Sequence, residues 1–153
     1  MILENESYKE IKELDTNLFE DGRHIIICSY NFAIKHSEEL QLVDWDLVVF
    51  DEAHKMRNVY KKGNIIGNTM MNTFKHYKKI LLTATPLQNN LKELYGLISI
   101  IDPHFFSTVD SFNEQYNMIT TRDSAKFGEL KGRLSHIVHR TLRQQVKRIC
   151  QLH

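Results

Sequence analysis

The sequence predicts an α/β fold in which a mostly parallel sheet is flanked by helices. Three short apolar runs, residues 24–30, 46–51 and 79–85, are too short for typical helices and carry several β-branched residues. Between them lie stretches whose apolar residues recur at the three-and-four spacing of one helical face. The runs lack the apolar and polar alternation of a strand with one wet face. Continuous apolar strands that alternate with helices indicate a parallel sheet covered on both faces.

Residues 6–18 place Tyr8, Ile11, Leu14 and Leu18 on one face, which predicts a short amphipathic helix. Asp21-Gly22 then turns the chain into the first strand, residues 24–30, which ends on Ser29 and Tyr30. A helical stretch, residues 32–42, leads to the second strand, residues 46–51, which ends in charge; a polar, basic loop, residues 55–64, follows. Residues 65–77 form a helix with Ile66, Met70 and Phe74 on one face. The third strand, residues 79–85, is stopped by Pro86, which has no N–H to give to a ladder. Asn89 or Asn90 caps a helix that runs to Ile101, packs Leu94, Leu97, Ile98 and Ile101 inward and ends at Asp102-Pro103. Two further helices, residues 110–118 and 125–137, precede a short strand at residues 138–142. Trp45, Phe50, Phe74 and Tyr95 occupy strand or periodic positions and belong to the core.

A chain of 153 residues is the size of one domain. No apolar run reaches the length of about 18 residues that a membrane span needs. The first six residues are acidic rather than basic and then apolar, so they are no secretory signal, and a cytoplasmic or nuclear location is expected. With only Cys28 and Cys150 no disulfide framework is expected, and Cys28 reads as a small buried hydrophobe. The net charge of +1 conceals an asymmetry: residues 4–21 are mostly acidic, whereas residues 131–148 carry only basic charges. Such a tail can face nucleic acid, although a solvated helix face is the commoner cause.

In an open parallel sheet, ligands sit beyond the carboxyl ends of the strands. The second strand delivers Asp51-Glu52-Ala53-His54 there, the third delivers Thr83-Ala84-Thr85-Pro86 and the first delivers Ser29-Tyr30. Two adjacent acids after an apolar strand suit magnesium-nucleotide chemistry. One carboxylate holds the hydrated metal while its neighbour orients and deprotonates water. Burial without a partner would be costly for either acid, which argues against a simple core role. Any chosen tetrapeptide arises by chance in a chain this long about once in a thousand; a second strand-end motif some thirty residues later makes coincidence rarer still.

Asp51-Glu52-Ala53-His54 resembles the Walker B box, or DEAH box, of superfamily-two helicases. Residues 82–89, Leu-Thr-Ala-Thr-Pro-Leu-Gln-Asn, resemble their third motif as the Swi/Snf-type branch writes it. Ser29-Tyr30, Glu93-Leu94-Tyr95, Asp102-Pro103 and residues 140–146 agree in position. The resemblance covers residues 25–146 and is nearest to bacterial predicted DNA helicases related to the RNA-polymerase-associated recycling ATPase. It implies a partial RecA-like, P-loop NTPase lobe over residues 1–146, with a truncated tail at residues 147–153, in a bacterial cytoplasm. It also implies that Asp51 binds Mg2+ through water, that Glu52 activates the attacking water and that His54 links the nucleotide site to the lobe interface. Thr83 and Thr85 would couple nucleotide state to DNA, supported by Gln88 and Asn89. Ser29, Tyr30, Lys55, Arg57, Lys61 and Lys62 become candidates to touch the DNA backbone, although exposed lysines beside a turn are usually only solvated. Mg2+ and ATP would serve the intact parent, whose partners would be double-stranded DNA and RNA polymerase or another nucleoprotein.

The sequence departs from that family in one respect that governs its chemistry. A phosphate-binding loop needs Gly-x-x-x-x-Gly-Lys-Ser/Thr, because backbone amides and a lysine cradle the phosphates. No such stretch exists: Gly63 and Gly67 are too close together, and Gly128 and Gly132 lie in a helical segment. The adenine-binding glutamine motif and the second lobe with its arginines are also absent. The resemblance therefore implies a lobe lacking its phosphate-loop strand, as a truncated gene, a split reading frame or a domain fragment would be. No nucleotide is expected to bind tightly, no ATP hydrolysis is expected alone, and the third strand becomes a sheet edge open to self-association. Two readings stand: a fragment of an ATP-dependent helicase or translocase, and a non-catalytic remnant acting as a binding or interaction module. The spacing His136-x-x-His139 with Cys150-x-x-His153 superficially suits zinc, but this stretch already belongs to the resemblance.

Overall fold

The computed structural model describes residues 1–13, 24–85, 91–116 and 124–139. Strands β3 (Val48–Phe50) and β4 (Lys79–Leu81) pair in parallel, with Val48 opposite Lys79, Val49 opposite Ile80 and Phe50 opposite Leu81. The ladder extends past both ends: the Val48 N–H donates to Lys78 O at 2.9 Å and the Leu82 N–H to Phe50 O at 2.8 Å. A second parallel pair joins β1 (Ile2–Leu3) to β2 (Ile27–Cys28). The α/β architecture with parallel strands is therefore as the sequence predicts, while β1 is an addition. Two residues are too short to show a period, and β1 exists because Met1 O accepts from the Ile27 N–H at 2.8 Å.

The strands are shorter than their apolar runs. β2 stops before Ser29 because that side chain caps α2 (Tyr30–Lys35), accepting from the Phe32 N–H at 3.1 Å. β4 stops before Thr83, whose hydroxyl oxygen accepts from the Thr85 N–H at 3.2 Å and bends the chain locally. The sheet also differs from the expectation of cover on both faces. Register partners Val49 and Ile80 are 51% and 44% exposed, and Leu82, on the same side, is 49% exposed. Phe50 on the other side is buried in the core. Thus one face of β3 and β4 is packed and the other is apolar but bare.

The expected helices all appear, with altered ends. α1 (Asn5–Glu13) covers the first part of the stretch expected at residues 6–18; the remainder lies outside the described residues. The stretch at residues 32–42 is split at His36 into α2 and α3 (Ser37–Gln41). α1 is tied to α3 through Glu39, which accepts from the Tyr8 hydroxyl and from Lys12 Nζ. α4 (Ile65–Thr73) begins where the Asn64 side chain accepts from the Gly67 N–H at 2.9 Å. α5 (Leu91–Ile101) is buried at Glu93 and from Tyr95 to Ile100. α6 (Val109–Tyr116) and α7 (Ser124–Leu134) follow. Val138 and His139 form no strand, and the rest of the strand expected at residues 138–142 lies outside the described residues.

The chain divides into two units, Met1–Asn113 and Glu114–His153. In the first, Ala33, Leu40, Phe50, Ala53, Met56, Met70, Phe74, Leu97 and Ile100 form one buried cluster that draws on α2, α3, α4, α5 and β3. Phe50 and Phe74 meet edge to face at 5.8 Å, and Trp45 lies 6.5 Å from Phe74 while donating to Leu40 O. A second aromatic group joins Tyr95, Phe106 and Phe112. In the second unit, Tyr116 and Leu130 are buried, and the Tyr116 hydroxyl lies between Glu129 and Arg133. Among the described residues no helix is long and apolar enough to cross a membrane.

Candidate functional site

The acid turn grows directly out of β3. Asp51 and Glu52 follow Phe50, and a 3-10 turn, Ala53–Met56, carries the chain back under the core through Ala53 and Met56, both fully buried. Glu52 adopts a left-handed backbone, φ 50° and ψ 43°, a conformation that costs a side-chain-bearing residue about 1–2 kcal/mol. Non-glycine residues in that region gather at functional turns, where the surroundings enforce them. Here the enforcement is visible. Asp51 Oδ1 accepts from the Glu52 N–H at 2.9 Å, and the Ala53 N–H donates to Leu82 O at 2.9 Å. The acid turn and the start of the third motif are thereby bonded to each other through backbone groups.

Tyr30 supports the turn from the side of β2. Its ring stacks on Phe50 at 6.4 Å, and its hydroxyl donates to Asp51 O at 2.8 Å. Burial, then the nearby charges of Asp51 and Glu52, push the phenol up to about 12. It therefore stays a donor across the ordinary pH range. Both acid side chains are exposed. His54 Nδ1 lies 3.0 Å from Glu52 Oε2, within ion-pair distance, but this buried nitrogen makes no aligned hydrogen bond.

The basic candidates separate into distinct environments. Lys55 is exposed, with Nζ 5.6 Å above the Tyr30 ring; Lys61 and Lys62 are exposed. Lys61 also borders an open groove of about 490 Å3 with Asn58, Gly63, Asn64 and Ile65. Arg57 instead turns inward: its Nε stands 3.6 Å from Oε1 of the buried Glu93 on α5. Ser29 serves as the cap of α2. Thr83 and Thr85 share their local bond and are half-buried, while Gln88 and Asn89 lie outside the described residues.

The donor set at the turn fits a hydrated cation. Asp51 keeps one carboxylate oxygen off the Glu52 bond and open to solvent. Among the described residues no group of three or more His, Cys, Asp or Glu side chains could hold a metal ion directly. The given sequence holds no Gly-x-x-x-x-Gly-Lys-Ser/Thr stretch to cradle a triphosphate. The zinc spacing has His136 and His139 exposed, with Cys150 and His153 outside the described residues. Cys28 is half-buried, and burial raises its thiol above the ordinary value, in keeping with a packing role.

Sequence reasoning passed over Glu93 as a participant, although a signal existed. It stands one turn before Leu97 and two before Ile100 on the buried face of α5, where a carboxylate demands polar partners. Gly96 was also missed. A Cβ there would lie 1.9 Å from Arg57 O, so α5 approaches the acid loop as closely as only glycine allows.

The SNF2-related domain family matches residues 1–152. The chain is 31% identical over 127 residues to Protein CHROMATIN REMODELING 4 of Arabidopsis thaliana, covering 82% of this chain and 5% of that protein. It is 32% identical over 114 residues to the chromatin structure-remodeling complex subunit snf21 of Schizosaccharomyces pombe, covering 72% and 9%. It is 30% identical over 129 residues to mouse chromodomain-helicase-DNA-binding protein 1-like, covering 83% and 14%. The chain thus spans a small part of each relative's length. Its fold matches the Sulfolobus solfataricus SWI2/SNF2 ATPase core, solved in complex with dsDNA, with a TM-score of 0.67 and 23% identity over 92% of this chain and 28% of that one. Matched along almost its whole length, the chain belongs to the SNF2-related domain family.

Proposed function

We propose that this chain carries the acid half of the nucleotide site of a SNF2-type, ATP-driven translocase on double-stranded DNA, and that alone it does not hydrolyse ATP. The observation that carries the proposal is the acid turn, exposed at the carboxyl end of β3 and braced by Tyr30 and Leu82, in a sequence with no phosphate-binding loop. Asp51 would hold hydrated Mg2+, which when bound with ATP supplies charge neutralisation at the transferring phosphoryl group. Glu52 would orient and deprotonate water, and His54, within ion-pair distance of Glu52, would link the nucleotide site to the lobe interface. Thr83 and Thr85 follow the strand bonded to the same turn, which supports a coupling role for them.

The relative solved with duplex DNA supports DNA as the partner, and Lys55, Lys61 and Lys62 are the exposed cations beside the turn. A non-catalytic interaction module is the second reading, favoured by the missing phosphate loop and the bare face of β3 and β4. The two part company when the chain is joined to the family's adenine and phosphate-loop segments and second lobe. Single-turnover hydrolysis should then appear, stimulated by duplex DNA, and Glu52→Gln should abolish it while leaving ATP bound. Unchanged turnover in the Glu52→Gln protein would overturn the role assigned to that carboxylate and favour the module.

A further inference from the structure

We propose that Arg57 is a positioning residue rather than a DNA contact: with Glu93 and Gly96 it clamps α5 onto the acid turn, making the two segments that flank residues 83–90 move as one body. This rests on the nucleotide-site reading only for its functional meaning; the clamp itself stands on geometry. Arg57 closes the 3-10 turn, its N–H donating to His54 O at 3.3 Å, and Lys55 N–H donates back to Glu52 O at 3.1 Å. From this turn the guanidinium reaches Glu93, whose side chain is only 5% exposed.

Arg57 sets its charge against the buried Glu93 carboxylate, which favours the packing of α5 on the acid turn. The contact at Gly96 brings the helix backbone against the Arg57 carbonyl itself. Tyr60 adds a third link, lying edge-on to Tyr95 at 6.4 Å, with its phenol raised by burial and by the Glu93 charge. On the opposite flank, Ala53 N–H and Leu82 O bind the turn to the strand that precedes Thr83. The acid turn is therefore held from both ends of the segment that contains the third motif. The Ala53–Leu82 backbone bond attaches the turn to the end of β4, and the Arg57–Glu93 pair attaches it to α5.

The test uses the full chain labelled with 15N. Arg57→Gln and Glu93→Gln are each expected to shift the amide signals of Glu52, Ala53 and Leu82. Arg57→Lys, which keeps the charge, should shift them less. A Leu130→Ala variant, destabilised at a buried residue of the other unit, should leave them in place. The double variant Arg57→Gln/Glu93→Gln should lose less stability than the two single variants added together, as a coupled pair does. Titration with a labelled DNA duplex over a salt series separates the alternative. A phosphate contact by Arg57 would lower the salt slope by about 0.9 on Arg57→Gln, and that result, or unmoved Glu52 and Ala53 signals, would overturn the proposal. Absence of DNA binding altogether would count against the translocase reading and leave the amide result to decide the clamp.

Discussion

Glu52 concentrates the tension between stability and chemistry in this chain. Its left-handed backbone is one that glycine adopts freely and a glutamate does not. Replacing it by glycine should raise the unfolding free energy by about 1 kcal/mol, while removing the carboxylate proposed to activate water. Urea unfolding measures this directly, and a less stable Glu52→Gly protein would mean that the acid's contacts outweigh its strain. At this scale much of the site was legible beforehand. Asp51, Glu52 and His54 fall within four consecutive residues, so a local motif suffices to single them out, and the strand before them says where they stand. Arg57 was placed among the DNA candidates because its charge was visible and its direction was not. Its partner Glu93 lies on a distant helix, and only the tertiary packing of α5 brings the two together.

At the scale of elements, periodicity found every α-helix that follows β3 among the described residues, since long stripes such as Ile66, Met70 and Phe74 survive errors at their ends, but not the short 3-10 turn at Ala53–Met56. Strand lengths were overestimated because caps and local turns, at Ser29 and Thr83, end the ladders before the apolar composition does. β1 escaped notice because two residues carry no pattern. The glycines make a sharp contrast between helices. Gly96→Ala on α5 must push the helix off the Arg57 carbonyl, at a cost of about 1–3 kcal/mol. Gly128→Ala on α7 meets nothing within 4 Å and should stabilise by about 0.5–1 kcal/mol through helix propensity. Thermal melting of the two variants should move in opposite directions; a neutral Gly96→Ala would show that α5 is not in close contact with the acid loop.

For the whole molecule, the sequence pointed to strands covered on both faces, and the structure leaves Val49, Ile80 and Leu82 open on one. The composition was correct for a buried sheet; what it could not convey is that only one layer of cover is drawn from the described residues. An apolar sheet face beside the outer edge of β4 favours association of chains. Light scattering should accordingly show mass rising with concentration, and Ile80→Lys should suppress the rise; a strict monomer at high concentration would refute self-association through this surface.

On the proposed function, the chain has the acids of a SNF2-type nucleotide site and no stretch that grips phosphates. Calorimetric titration of Mg-ATP into the chain tests this most directly. Without a cradle of backbone amides and a lysine, most charge-assisted contacts to the triphosphate are missing, and the dissociation constant should be about millimolar or weaker. Saturable binding at micromolar ATP would contradict it, since a phosphate-binding element would then have to exist in a sequence that shows none.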